Sequence, residues 1–309
     1  MFYIDRGIPM QKQKFFIFHI ITLMCIVMFA NVLFSACGST SNQFVADVKI
    51  QSKKGDASEL MEKAQNLWKQ RDQIKSAKKA IKTWEKAAET DPTRADVALK
   101  LSYAYYFMAT VHARWQNDPK DKQLAWYEKG MKSASRAIFL QSPKFQQAIM
   151  SKKSWPDYVY LVEKNGIEGL YWYCSNLGQH SSLRGITKMI RFLPTIKSSM
   201  ERILKLDENF FHAGPHRYFG AYEAKIIGGD LNKSKNHFEK SIQLAPHYLT
   251  TYILQAELYA TKKMNEELFV KLLETVLQAN PDAIAELSIE NRNAQRIAQD
   301  MLENIEDYF

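Results

Sequence analysis

Proline and glycine are scarce in this chain, nine and twelve among 309 residues. A sheet protein with many tight turns uses more of both, so the shortage weighs against a β architecture. No stretch alternates apolar and polar residues with period two over a useful length, and essentially no sheet is expected. Cysteine is rarer still. Cys25, Cys37 and Cys174 form no CxxC, and their spacing suits neither a disulfide framework nor a zinc site. Lys and Arg outnumber Asp and Glu by 42 to 33, yet the two signs are interleaved and no basic run exceeds a pair such as Lys78-Lys79 or Lys152-Lys153. Interleaved charge reads as solvated helix faces, so nucleic acid is not an expected partner. GxSxG, P-loop and GxGxxG motifs are all missing. His180, His212 and His216 do not follow a metal spacing such as HExxH. No catalytic residue, metal or cofactor is therefore expected.

Apolar residues are present in quantity, 46% of the chain, enough for a substantial core. Ala, Leu, Lys and Glu are plentiful and favour helices.

The N-terminus has its own pattern. Arg6, Lys12 and Lys14 precede an apolar run over residues 15–30, and Leu33-Phe34-Ser35-Ala36 lead into Cys37. A basic start, an apolar middle and small residues before a cut form a secretory signal, with Met1 or Met10 as its start. Ser35-Ala36-Cys37 resembles the lipobox of bacterial lipoproteins, in which the cysteine thiol takes a diacylglycerol and the chain is cut just before it. The rival reading is an uncleaved membrane helix, since about 20 apolar residues span a bilayer. Gly38 stands where inner-membrane retention would place Asp, which by analogy favours the outer membrane. The expected organisation is a signal peptide over residues 1–36, a lipidated tether over 37–56 and a helical domain over 57–309.

One spacing recurs through that domain. Ala80, Trp84, Ala87 and Pro92 lie four, three and five apart, and Ser234, Phe238, Ser241 and Pro246 repeat the interval. Ile196, Met200 and Ile203 keep it with Glu208 in place of the proline, and Phe269, Leu273, Val276 and Pro281 keep it again. Gly130, Ala134, Ala137 and Pro143 follow with one extra residue. Residues four and three apart share a helix face. Small ones let a neighbouring helix approach, the large one fills the groove, and proline stops the helix. This resembles the second helix of the tetratricopeptide repeat. First helices show Ala98, Leu101, Ser102 and Tyr105, then Tyr252, Ala256 and Tyr259. Gly229-Asp230 reads as a turn inside a repeat, with Gly taking a positive φ and Asp capping the next helix. A long insertion is expected at residues 107–122, and Pro156 and Pro194 are expected to interrupt the middle. The resulting expectation is an all-α, tetratricopeptide-like superhelix of about five degenerate helix pairs, with a final helix over residues 283–307 capping its open end.

Three further stretches narrow the resemblance. They are Gly169-Leu170-Tyr171-Trp172-Tyr173-Cys174-Ser175-Asn176-Leu177-Gly178, then Asp207-Glu208-Asn209-Phe210-Phe211-His212-Ala213-Gly214-Pro215-His216-Arg217-Tyr218-Phe219-Gly220, then Gly229-Asp230 through Lys235-Asn236-His237-Phe238-Glu239-Lys240 to Glu266-Glu267-Leu268-Phe269. Together with the lipobox they resemble the T component of TRAP transporters, the TatT family of periplasmic tetratricopeptide lipoproteins. The resemblance implies a protein that can form a trimer and that associates with a periplasmic solute-binding protein. It also implies delivery or buffering of a small hydrophobic or organic-acid ligand, without catalysis. The alternative is a cell-envelope scaffold that holds no small molecule.

Candidate contact residues follow from chemistry. Tyr171-Trp172-Tyr173 cannot all face one neighbouring helix, so at least one is free for the concave face. Tyr103, Tyr105, Tyr106 and Phe107 pose the same choice between core and surface. Pro215 suits the first turn of a helix, where free N–H groups and Arg217 would receive a carboxylate, with His216 and Tyr218 beside them. The bland alternative pairs Arg217 with an acid of a neighbouring repeat. Cys174 reads as a small buried hydrophobe.

Overall fold

The computed structural model describes residues 54–309. Cys37, the signal and most of the expected tether lie outside them. Among the described residues there is no strand. The chain runs through α1 (Ser58–Trp68), α2 (Ile74–Thr90), α3 (Ala95–Phe107), α4 (Pro119–Gln141), α5 (Pro143–Met150) and α6 (Trp155–Tyr158). It continues through α7 (Ile167–Arg184), α8 (Ile186–Leu206), α9 (Phe210–Lys225) and α10 (Leu231–Leu244). The last elements are α11 (Thr250–Leu254), α12 (Glu266–Gln278) and α13 (Ser288–Glu303). None of these helices is long and apolar enough to cross a membrane.

Consecutive helices pack together: α1 on α2, α3 on α4, α7 on α8 and α9 on α10, with α12 packed against the segment that follows α11. The result is an all-α superhelix. The recurring spacing explains the packing. Ala80, Trp84 and Ala87 are buried on α2, and Ala134 and Ala137 on α4. Ile196, Met200 and Ile203 are buried on α8, Ser234, Phe238 and Ser241 on α10, and Phe269, Leu273 and Val276 on α12. The small positions admit backbone. A Cβ on Gly220 would come within 2.7 Å of the Phe238 ring. Ser234 Oγ donates to Gly220 O at 2.7 Å, and Ser241 Oγ to Ala213 O at 3.2 Å.

Several local expectations shift. The folded body includes residues ahead of α1: Lys54 N donates to Thr90 O at 3.0 Å, and Ala57 is fully buried. Gly228, with φ +76°, takes the left-handed turn residue, one position before Gly229. Asp230 caps α10 as its side chain accepts from Asn232 N and Lys233 N. Pro194 lies within α8 without ending it, and Pro156 opens the short α6. At residues 107–122 the chain keeps winding. A π-helical segment, Met108–His112, extends α3 and gives way to a 3-10 turn, Ala113–Trp115, before α4. A second π segment, Gln255–Ala260, extends α11.

The closing helix does more than cover an end. Asn291 of α13 accepts from Leu249 N at 3.2 Å and donates to His247 O at 3.0 Å, fastening α13 to the last pair. Glu290, one residue earlier, pairs with Arg71 at 3.0 Å and accepts from Tyr103 Oη. Trp115 Nε1 donates to Asn293 Oδ1 at 2.9 Å, and the Arg296 guanidinium lies 3.8 Å from the centre of the Trp115 ring. Helix α13 thus joins the last pair to the first two, and the superhelix closes on itself.

Candidate functional site

Closure encloses a cavity of about 250 Å³. Its wall is drawn from the first helix of successive pairs: Tyr103 and Tyr106 on α3, Tyr171 and Trp172 on α7, Phe211 and Arg217 on α9, and Ile253 on α11, with Glu290 and Ile297 from α13. Both π segments reach it, through Thr110 and Val111 and through Glu257 and Leu258. A π segment inserts a residue into the helical ladder and re-aims the side chains beside it, a device found often at functional sites. Arg114, Lys225 and Glu257 are exposed and mark the mouth.

The deep wall is aromatic. Tyr103 and Trp172 have ring centres 4.7 Å apart, Trp172 and Phe211 4.6 Å, Tyr171 and Phe211 5.0 Å, and Phe211 and Tyr248 5.8 Å. Burial, then the neighbouring Glu290 carboxylate, pushes the Tyr103 hydroxyl well above its ordinary pKa. Burial likewise raises Tyr106 and takes Tyr248 to about 12. These phenols stay neutral.

Arg217 stands among them, only 5% exposed. Nη2 donates to Tyr171 Oη at 2.7 Å and to Phe211 O at 3.3 Å, and Nη1 donates to His212 O at 2.9 Å. Its guanidinium carbon lies 4.3 Å from the centre of the Tyr248 ring. Every one of these partners is neutral; among the described residues no carboxylate reaches it. The His212 imidazole stacks on Tyr248 at 5.0 Å, and burial, then Arg217, holds its pKa below the ordinary value.

Those carbonyls are presented by an unusual backbone. Phe211, His212 and Ala213 carry φ of +45°, +56° and +54°. Left-handed φ costs a non-glycine residue roughly 1–2 kcal/mol, and such residues persist only where their surroundings hold them. Here Arg217 takes the first two carbonyls and Ser241 Oγ the third. Gly214 ends the strained run. A Cβ there would lie 2.9 Å from Tyr171 Oη, so only glycine lets α9 sit against that tyrosine.

Of the residues singled out in the sequence, Tyr171, Trp172 and Arg217 come together at the cavity. Tyr173 does not: it stacks on Trp155 at 4.5 Å in the core. His216 faces away, with Nδ1 2.9 Å from His237 Nδ1 and Nε2 3.1 Å from Glu208. Tyr218 packs against Phe219 and Tyr222. Cys174 is buried, its thiol pushed up to about 12 by burial, and so is inert as a nucleophile at neutral pH. Tyr248, Phe211 and Glu290 were not legible as wall residues, because distant parts of the chain bring them there. No cluster of His, Cys, Asp and Glu among the described residues suits a metal ion.

Fold and site together define an all-α helical superhelix with an aromatic-walled cavity. Residues 74–309 match the TRAP transporter T-component family, and the chain belongs to it. No curated protein matches it.

Proposed function

We propose that the protein is the lipid-anchored T component of a TRAP-type uptake system, and that its cavity holds a small ligand passed to or from a periplasmic solute-binding protein. The family match supports the transport role. The observation that carries the ligand reading is the aromatic cavity itself, built from four successive first helices and the closing helix. Apolar walls with a few convergent polar groups are the usual make-up of small-molecule sites. In this reading the five helix pairs are degenerate tetratricopeptide repeats, and the protein works by binding, without catalysis. Residues 1–36 are a signal peptide, Cys37 carries the lipid and the residues after it form the tether to the outer membrane. Association as a trimer is carried over from the resemblance.

Crosslinking in intact cells followed by purification from membranes tests the partnership. Recovery of a periplasmic solute-binding protein is expected, and its consistent absence would overturn that part of the reading. A folded protein that binds no small molecule would favour the scaffold alternative. For the anchor, Cys37→Ser is expected to release the protein from membranes or leave it uncleaved. Unchanged fractionation together with an unchanged mature mass would defeat the lipobox assignment.

A further inference from the structure

We infer that the cavity is a receptor for a monocarboxylate with a flat apolar body, and that Arg217 receives the carboxylate. The inference rests on the cavity being the ligand site proposed above, and it specifies what that site takes.

Charge is the first ground. A guanidinium does not lose its proton inside a protein. Arg217 therefore keeps its charge while buried, and among the described residues its hydrogen-bond partners are Tyr171 Oη and two main-chain carbonyls. Burying an uncompensated ion is costly, and buried charges are ordinarily paired. The bland alternative, an acid from a neighbouring repeat, is not what the fold supplies. Glu290, an acid of the same wall, is spent on Arg71 and Tyr103. An anion from solution completes what the chain leaves open.

Positioning is the second. Three hydrogen bonds and the Tyr248 face fix the guanidinium plane, and the chain tolerates three left-handed residues to supply two of the acceptors. Three of the five guanidinium N–H groups are used, which leaves donors for a ligand oxygen. Arginine suits a planar carboxylate better than lysine does, because its donors sit in a rigid fork.

Size and walls give the rest of the molecule. A dry cavity of about 150 Å³ holds one benzene, so about 250 Å³ takes one ring with a short acidic arm. Tyr103, Tyr106, Trp172 and Phe211 offer ring faces and edges for a flat body. Arg217 is the one buried cation of the wall among the described residues, while Arg114 and Lys225 stand at the exposed mouth beside Glu257, so the deep part of the cavity receives one carboxylate and not two.

Equilibrium dialysis of the mature protein against three probes tests this: phenylacetate, neutral phenylacetamide and dianionic phenylmalonate. Phenylacetate is expected to bind at least tenfold more tightly than either of the others. In Arg217→Met that preference is expected to vanish, and in Arg217→Lys, which keeps the charge but loses the planar fork, it is expected to shrink. The comparison of acid with amide uses the unaltered protein, so it holds even if both variants fold poorly. Equal binding of acid and amide would overturn the carboxylate assignment and leave the cavity as a ligand site. Tighter phenylmalonate would overturn the restriction to one acid group. Failure of all three probes to bind at millimolar concentration would overturn both this inference and the ligand part of the proposed function, leaving the partnership to the crosslinking experiment.

Discussion

Helices α2 and α9 belong to the same repeating plan and differ in almost every detail. On α2, Ala80, Trp84 and Ala87 fill a groove with ordinary helical backbone and no buried charge. On α9, three residues turn left-handed, a cation is buried and a glycine is pressed against a tyrosine ring. The second helices of the pairs satisfy the general requirement of stacking. Three of the four first helices that meet the cavity depart from it there, through two π segments and the left-handed turn, while α7 stays regular. Irregular backbone costs free energy, so the three departures that border the cavity mark where something other than stability shapes the chain.

The contrast can be broken by experiment. Trp84→Ala leaves a void in a fully packed groove and is expected to cost about 3–5 kcal/mol in urea denaturation. Probe affinity of the remaining folded protein should be unchanged; a matching loss of affinity would show that support and site are not separable. Gly214→Ala has the opposite profile. Helix propensity alone would favour Ala by about 1 kcal/mol, but the added methyl meets the Tyr171 ring. The net expectation is a loss of about 1–3 kcal/mol, with phenylacetate affinity falling because Tyr171 must move off Arg217. Retained affinity would mean that this contact does not set the guanidinium.

A smaller effect should follow from acidification. Burial, as the leading cause, lowers the pKa of His112, His180, His212 and His237 in the folded state. The unfolded chain then takes up protons first as the pH drops, so stability falls with falling pH through the ordinary imidazole value of about 6.5 and below it. The melting temperature should decline from pH 7.5 to 5.5, and His212→Gln should flatten part of that slope. An unchanged slope in that variant would place the dependence on the other three.

The support layer was readable from the sequence because its signal is local. Trp84 and Phe238 declare their helix face through neighbours three and four residues away, and each is buried as that spacing requires. The aromatic run and Arg217 pointed toward the cavity for a similar reason: unusual residue types are visible one at a time. The rest of the wall was not legible. Tyr248 reaches Arg217, and Glu290 reaches Tyr103, through folding that no local periodicity encodes. The π segments follow stretches that read as plain helix, and the left-handed turn uses Phe, His and Ala, of which only His is enriched at positive φ. His216 and Tyr218 looked equivalent to Arg217 in the sequence because adjacent helical residues differ only in direction. That direction was set by where the left-handed turn hands over to α9.

The bond between Arg71 and Glu290 spans 219 positions of chain. An open array of repeats can lose a terminal unit, or gain an internal one, at roughly the cost of a single interface. A circular one cannot, because its circumference fixes how many units fit. The last helix must also wait for the first to be in place, which makes folding a matter of long-range closure with no simple propagation from either end. Lineages carrying this arrangement are therefore expected to vary the residues of their units far more readily than the number of them.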